Sequence, residues 1–194
     1  PGAAHHALAW LERQGRIELL LTQNVDGLHH AAGSRRVIDL HGRIDTVRCM
    51  DCEARTPRAE LQRELLRRNP AWAALSASAA PDGDADLQGR DFQSFDVPPC
   101  PRCGTGLLKP DVVFFGESVP RGRVDAAHAA LARADAVLLA GSSLMVYSGY
   151  RFVQAAAQRG LPVAAINRGR TRADGLLALK LEADVGQALE QLLY

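Results

Sequence analysis

Short apolar runs alternate with amphipathic segments along most of the chain, and the two patterns predict different elements. Short runs rich in apolar residues, which are typical of strands buried on both faces, occupy residues 17–21, 37–40, 111–115, 136–140 and 161–166. Residues 44–48 are a further strand candidate. Apolar side chains at helical spacing occupy residues 3–14, 57–69, 123–133, 150–159 and 185–193. The alternation predicts an α/β fold, a doubly wound parallel sheet covered on both faces by helices.

Cap and turn residues mark some of the predicted boundaries. Gly15 is expected to end the first helix and Gly160 the fourth. Thr56 is expected to cap the second helix, with Pro57 in its first turn. Residues 73–96 are rich in Ala, Ser, Asp and Gly, and this composition predicts a loop.

Small and polar residues follow three of the predicted strands. The clusters are Thr22-Gln23-Asn24-Val25-Asp26-Gly27, Gly141-Ser142-Ser143 and Asn167-Arg168-Gly169. In Rossmann-like sheets, ligands bind beyond the carboxyl ends of the strands. Glycine and serine let backbone N–H groups approach phosphates, and asparagine can bridge ribose hydroxyls. These clusters therefore predict a nucleotide site.

Two cysteine pairs predict a metal site. Cys49 and Cys52 form one CxxC pair, Cys100 and Cys103 form another, and the chain has no other cysteine. Two such pairs supply the four thiolates of a closed tetrahedral zinc site, which leaves the metal no open position for chemistry. Two disulfides are the alternative in a secreted protein, but the paired spacing without a visible signal peptide favours zinc in a reducing compartment.

Domain organisation follows from the cysteines. The chain has 194 residues, which suits one domain with a small lobe. We expect residues 1–48 and 104–194 to form the nucleotide-binding domain and residues 49–103 to form a zinc-binding lobe with an inserted helix and loop.

Composition excludes some function classes. The net charge is +1 and 47% of the residues are hydrophobic, so no strong field favours nucleic acid or an anionic membrane. No apolar run approaches the roughly 20 residues of a membrane span. We expect a cytoplasmic location in a bacterium, or the mitochondrial matrix in a eukaryote.

Several stretches together resemble the sirtuins, the NAD-dependent protein-lysine deacylases. The matching stretches are residues 22–29 (TQNVDGLH), 40–42 (LHG), 109–117 (KPDVVFFGE), 141–144 (GSSL), 166–167 (IN) and the four cysteines. They cover nearly the whole chain in the family's order. The string at residues 143–150 (SLMVYSGY) is most like the class II branch.

The resemblance implies a reaction and a base. The acyl-lysine oxygen attacks the ribose carbon that loses nicotinamide, and a base then activates a ribose hydroxyl. His41 fits the base, because an imidazole titrates near neutral pH. Asn24 and Asp26 would line the nicotinamide pocket, with Val25 between them in the same loop, and Gln23 would contact the ribose.

The resemblance also implies the remaining contacts. The hydrogen-bond donors to NAD would be Gly141, Ser142 and Ser143. Asn167, which lies beside Arg168 and Gly169, would hold the adenosine ribose. The backbone near Val185 would hold the adenine. Three residues, Val113, Phe115 and Gly116, would pair with an acyl-lysine peptide as an added strand. The implied products are nicotinamide and O-acyl-ADP-ribose.

Other readings remain open. The same pocket could transfer ADP-ribose to protein, or the chain could be a catalytically dead zinc- and NAD-binding module. The family's first strand and GAGxS-type turn have no counterpart in these 194 residues. We therefore expect the chain to correspond to the C-terminal two-thirds or more of a sirtuin catalytic domain, with little or no deacylase activity alone.

Overall fold

The computed structural model describes residues 1–76 and 91–191. The chain divides into two compact units. Unit 1 comprises residues 1–43 and 112–194, and unit 2 comprises residues 44–111. Part of the predicted loop at 73–96, including Pro81-Asp82-Gly83-Asp84, lies outside the described residues, as do Leu192 and Leu193 of the last predicted helix.

Seven helices and eight strands make up the part of the chain that the structure describes. The helices are α1 (Ala3–Arg13), α2 (Leu28–Ala31), α3 (Arg58–Arg68), α4 (Pro70–Ala73), α5 (Arg121–Leu131), α6 (Tyr147–Gln158) and α7 (Val185–Gln191). The strands are β1 (Leu20–Thr22), β2 (Val37–Asp39), β3 (Gly42–Cys49), β4 (Arg55–Pro57), β5 (Leu108–Val112), β6 (Val137–Ala140), β7 (Val163–Ile166) and β8 (Leu179–Leu181).

Unit 1 contains the parallel strands that the sequence predicts. β1 pairs in parallel with β2, with Leu20 opposite Val37. β6, β7 and β8 form a second parallel sheet in that order, with Ala140 opposite Ile166. Each parallel neighbour is reached through a helix or a 3₁₀ turn, as parallel pairing requires a crossover. The predicted α/β fold with parallel strands is confirmed.

Two apolar clusters hold the helices of unit 1 on these strands. Leu139, Val153 and Val163 belong to one cluster, which packs α6 against β6 and β7. Ala7 and Leu189 belong to another, which joins α1 to α7. Leu189 is fully buried, so both helices cover apolar surface rather than standing in solvent.

A cavity of about 550 Å³ lies between β1 and β6. Its walls are mostly aliphatic side chains from the two strands, α5 and α6, and its lining includes Gln23 and Ser142 at the carboxyl ends of the strands. Leu138 of β6 lines it and is 44% exposed, although its neighbour Leu139 is buried. β1 and β6 therefore line an apolar slot.

Unit 2 contains a three-stranded sheet in the order β4-β3-β5. β3 and β4 are antiparallel, and Val47 lies opposite Thr56. The predicted role of Thr56 as a helix cap is wrong, because this residue pairs in β4 and Pro57 takes the N-cap position of α3.

Asn69 closes the far end of α3. Its side-chain N–H groups donate to Leu65 O at 3.0 Å and Asp96 O at 2.9 Å, and its side-chain oxygen accepts from Asp96 N–H at 2.7 Å. The buried amide thus satisfies backbone groups on both sides of it, which explains its burial at 5% exposure.

Two strand boundaries and one whole strand also differ from the sequence prediction. The first strand begins at Leu20 rather than residue 17, and the strand predicted at 111–115 lies at 108–112. β8 was missed, because Leu179-Lys180-Leu181 is a short alternating segment without a continuous apolar run. Among the described residues, no helix is long and apolar enough to cross a membrane.

Candidate functional site

His41 stands directly after β2. Leu40 before it is fully buried, and its N–H donates to Thr22 O at 2.9 Å, which continues the pairing with β1. The carbonyl of His41 accepts from Val113 N–H at 2.8 Å. Backbone hydrogen bonds therefore fix the position of His41 on both sides.

Both ring nitrogens of His41 have partners. Nδ1 lies 3.1 Å from Gln23 O, and Nε2 lies 2.7 Å from Ser148 Oγ at the start of α6. A carbonyl oxygen only accepts, so we assign the proton to Nδ1 and the lone pair to Nε2. The imidazole is thus poised with Nε2 as its basic atom.

The protonation of His41 suits a base. Burial lowers the pKa of His41 from its ordinary 6.5, and the positive charge of Arg123 lowers it further, while the backbone hydrogen bond to Gln23 opposes the shift. The lower pKa keeps the ring neutral at physiological pH, which general-base catalysis requires.

The predicted nicotinamide loop follows β1. Thr22 Oγ1 accepts from Asn24 N–H at 3.1 Å, and Asp26 Oδ1 accepts from Leu28 N–H at 3.0 Å at the start of α2. Asn24 and Asp26 are exposed, whereas Val25 between them is half-buried. One oxygen of Asp26 therefore shapes the turn, and Asn24 and Asp26 present polar groups to solvent.

Gln23 of this loop reaches towards the second parallel sheet. Its side chain lies 3.5 Å from Ser142 Oγ and 3.5 Å from Ser148 Oγ. Gly149 makes room for it: a Cβ there would lie 2.6 Å from Gln23 Cδ. The structure thus brings Gln23, Ser142 and His41 to one site.

The turn after β6 holds the predicted phosphate-side residues. Gly141 has φ +61 and donates its N–H to Ile166 O at 2.9 Å; a Cβ there would lie 3.3 Å from Val185 Cγ2. Ser142 Oγ accepts from Leu144 N–H at 3.2 Å. Ser143 is exposed. Gly141 therefore lies close to Val185, and Ser142 shapes the turn that follows.

Asn167 follows β7 and is buried at 8% exposure. Its side-chain N–H groups donate to Arg168 O at 2.8 Å and to Gly169 O at 3.3 Å. Gly169 has φ +76, and the exposed Arg168 lies 4.0 Å from Asp184. The Asn167 amide therefore shapes its own turn, a structural role that the sequence did not reveal.

The predicted substrate strand is partly wrong in structure. The strand ends at Val112, and Phe114 and Glu117 close a turn in which Phe114 N–H donates to Glu117 Oε2 at 2.9 Å. Gly116 has φ +87, which an extended strand would not allow. Phe115 is fully exposed and Val113 is half-buried.

The four cysteines converge in unit 2. Cys49 and Cys103 have their Sγ atoms 3.7 Å apart, as do Cys52 and Cys100, and all four atoms lie within 4.8 Å of one another. Four sulfurs about 2.3 Å from zinc in a tetrahedron stand about 3.8 Å apart. The cluster therefore fits one zinc ion, and all four thiols are free of disulfides.

Backbone N–H groups surround the sulfurs. Hydrogen bonds from the backbone of Thr105 and Gly106 lower the pKa of Cys103 to about 6, and one from Cys103 lowers the pKa of Cys100. These hydrogen bonds favour the thiolate at Cys100 and Cys103. At Cys52 a backbone hydrogen bond from Ala54 also lowers the pKa, but burial and hydrogen bonds with the other three thiols outweigh it and raise the pKa to about 11.

A Cβ on Gly106 would lie 2.3 Å from Cys49 Sγ and 3.1 Å from Cys103 Sγ. The space beside Gly106 excludes any side chain at residue 106.

Sequence reasoning assigned no role to Ser148, Gly149 or Gly106. Ser148 and Gly149 lie in the stretch that resembles class II, but a serine in a helix start is ordinary without knowledge of its neighbour. Gly106 follows the second cysteine pair by three residues, and this spacing alone is a usable signal for a knuckle turn.

Fold and site together define a Rossmann-like nucleotide-binding protein with a four-cysteine cluster that fits one zinc ion. The model of the Sir2 family matches residues 1–148. The chain belongs to the Sir2 family, as the resemblance predicted; the class II assignment stays a prediction.

The relatives are longer than the chain. An NAD-dependent protein deacetylase of Bordetella bronchiseptica (strain ATCC BAA-588 / NCTC 13252 / RB50) is 65% identical over 191 residues, covering 98% of this chain and 69% of the relative. One of Xanthomonas campestris pv. campestris (strain 8004) is 68% identical over 189 residues, covering 97% and 64%. A solved structure described as Sir2-p53 peptide-NAD+ superposes with a TM-score of 0.77 at 29% identity, covering 100% and 69%.

Proposed function

We propose that this chain carries the centre of an NAD-dependent protein-lysine deacylase that releases nicotinamide and O-acyl-ADP-ribose. The observation that carries the proposal is the placement of the His41 ring, with Nε2 2.7 Å from the Ser148 hydroxyl and Nδ1 3.1 Å from Gln23 O. The names of the two bacterial relatives and the peptide and NAD+ in the related structure support it.

The chemistry assigned to His41 is proton transfer. When bound, NAD supplies a ribose carbon that the acyl-lysine oxygen can attack as nicotinamide leaves. His41 Nε2 takes the proton of a ribose hydroxyl, and the imidazolium keeps its Nδ1–H bond to Gln23 O. The lowered pKa of His41 supports this role.

The cofactor contacts follow the strand ends. Asn24 and Asp26, the exposed polar residues beside Val25, are proposed to orient the nicotinamide carboxamide, and Gln23 the ribose. Further proposed NAD contacts are Gly141, Ser142, Ser143, Asn167, Arg168, Gly169 and Val185. The proximity of Gly141 to Val185 and of Ser142 to Gln23 supports a single continuous site.

The peptide contacts lie after β5. Val113, Phe115 and Gly116 are proposed to bind an acyl-lysine segment by backbone pairing. The exposed rings of Phe114 and Phe115 support this, because two adjacent exposed aromatic side chains offer an apolar surface that a bound peptide can cover. The open turn would have to extend when the peptide pairs with it.

Zinc is proposed to be structural, held by Cys49, Cys52, Cys100 and Cys103. Four protein ligands complete its tetrahedron. Four free thiols also support a reducing compartment, and with the bacterial relatives they support a cytoplasmic location.

Incubation of the chain with NAD and an acyl-lysine peptide tests the function. Because we expect low turnover, the readout is mass-spectrometric detection of products. Nicotinamide with O-acyl-ADP-ribose supports the proposal, and its loss in His41→Ala but not in the exposed-histidine control His6→Ala assigns the base. ADP-ribosylated protein would indicate the transferase instead, and NAD binding without products would indicate a catalytically dead module.

A further inference from the structure

We propose that Ser148 is a positioning residue, which fixes the orientation of the His41 ring through Nε2 in both of its protonation states. The inference rests on the proposed role of His41 as the base. Ser148 is the second residue of α6, and Nε2 of His41 lies 2.7 Å from its hydroxyl.

A hydroxyl suits both forms of the base. Since Nδ1–H is committed to Gln23 O, the neutral ring offers Nε2 as an acceptor, and the Ser148 O–H donates to it. After His41 takes a proton, Nε2–H becomes a donor, and the same oxygen accepts. The ribose hydroxyl can give its proton to Nε2 only after it has replaced the Ser148 O–H at that lone pair. The serine hydroxyl then rotates and keeps its own proton, and its oxygen is free to accept from Nε2–H.

The approach of α6 to the β1 loop makes this contact. Gly149 carries no side chain where the Gln23 carboxamide lies, so the first turn of the helix can lie close to the loop. Gln23 Nε2 is 3.5 Å from Ser148 Oγ, and Ser142 Oγ is 3.5 Å from Gln23 Oε1. The hydrogen bonds run from Ser142 through Gln23 and Ser148 to His41.

The charged group near His41 disfavours the protonated ring, whereas the Ser148 hydroxyl can stabilise it. Arg123 of α5 is the positively charged group that acts on His41, and it disfavours the imidazolium. The Ser148 oxygen is a partner able to accept from the charged ring at Nε2. Without that oxygen, the imidazolium has a half-buried donor that lacks its protein partner, which costs more than an unpaired neutral acceptor.

Threonine and valine at position 148 provide a matched pair, because they differ in shape very little and only threonine has the hydroxyl. The titration of His41 followed by NMR on the 194-residue chain is the first readout. We expect Ser148→Val to move the His41 midpoint to lower pH and Ser148→Thr to restore the wild-type midpoint. Ser34→Ala, which removes a buried hydroxyl with no hydrogen-bond partner among the described residues, is the control and leaves it unchanged.

Product formation is the second readout. We expect Ser148→Val to lower kcat/KM about 3- to 10-fold, which is the scale of one neutral hydrogen bond. We also expect the acidic limb of the pH profile of kcat/KM to move to lower pH. Ser148→Thr regains most of the rate. Equal behaviour of the valine and threonine variants in both readouts overturns the inference. Full activity of His41→Ala would instead overturn the proposed function. The two experiments use different variants, so a failure of the inference about Ser148 can be told apart from a failure of the proposed function.

Discussion

Gly149 of α6 lies so close to Gln23 that a Cβ on the glycine would be 2.6 Å from the Gln23 side-chain atoms Cδ and Oε1. The crowded atoms are the far end of a flexible side chain, and the backbone of α6 is helical there. An added methyl group therefore moves Gln23 and leaves the helix intact.

Gly149→Ala is expected to weaken NAD binding without lowering stability. The displaced Gln23 carboxamide loses its contacts with Ser142 and Ser148, while alanine in a helix is favoured over glycine by about 0.5–1 kcal/mol. Isothermal titration with NAD and thermal unfolding measure the two effects. Gly122→Ala in α5, where a Cβ meets nothing within 4 Å, is the matched control and should keep the affinity. Unchanged NAD affinity in Gly149→Ala would show that Gln23 does not contact the cofactor.

Gly106→Ala is expected to abolish zinc binding. The new Cβ would stand 2.3 Å from Cys49 Sγ, so the sulfur has to leave its place in the tetrahedron. Zinc content by atomic emission should fall from one ion per chain to almost none, as in Cys49→Ser, while Gly122→Ala keeps one ion. Because thiolate binding is coupled to folding, we also expect faster proteolysis of unit 2. Full zinc content in Gly106→Ala would contradict the geometry of the cysteine cluster.

Acidification is expected to destabilise the chain through two histidines. Burial is the largest cause that lowers the pKa of His29 and of His41 below the ordinary 6.5. Both rings then bind protons more strongly in the unfolded state, so their contribution is present above pH 6.5 and is lost as the pH falls through their folded pKa values. Urea unfolding between pH 8 and pH 5 measures this, and the slope should become smaller in His29→Gln. Stability that rises as the pH falls across this window would contradict the burial of both rings.

Asn167→Asp is expected to lower the free energy of unfolding by about 1–3 kcal/mol. The substitution keeps the shape but removes the two N–H donors that hold Arg168 O and Gly169 O, and it places a buried carboxylate beside those carbonyls. Denaturant unfolding at pH 7 measures the loss. Arg168→Gln, which changes an exposed side chain of the same turn, should cost little. If the two variants unfold alike, the amide does not hold the turn.

The sequence predicts the strands whose apolar runs are continuous and the ligands whose spacing is local. β6, β7 and the four cysteines belong to this class, because burial on both faces and a CxxC turn depend on neighbouring residues. His41 and Gly141 were found through a resemblance, and the structure then supplied their contacts.

The rest depends on partners distant in sequence. The sequence predicts that Thr56 caps a helix, but in the structure it pairs with Val47 in a strand. The sequence predicts that Phe115 lies in a strand, but in the structure the chain turns at Gly116. Ser148 acquires its role only because His41, 107 residues earlier, lies within hydrogen-bond distance. No local pattern contains that contact.

The slot between β1 and β6 has a mechanical consequence. The two parallel sheets share no backbone ladder, and among the described residues the hydrogen bond from Ser142 to Gln23 crosses the mouth of the slot. A ligand that binds to the ends of both β1 and β6 would hold the two sheets together. Local opening of either sheet would then become less frequent. Such a ligand would slow amide hydrogen exchange in β1 and in β6 together. This effect does not depend on catalytic turnover by the chain.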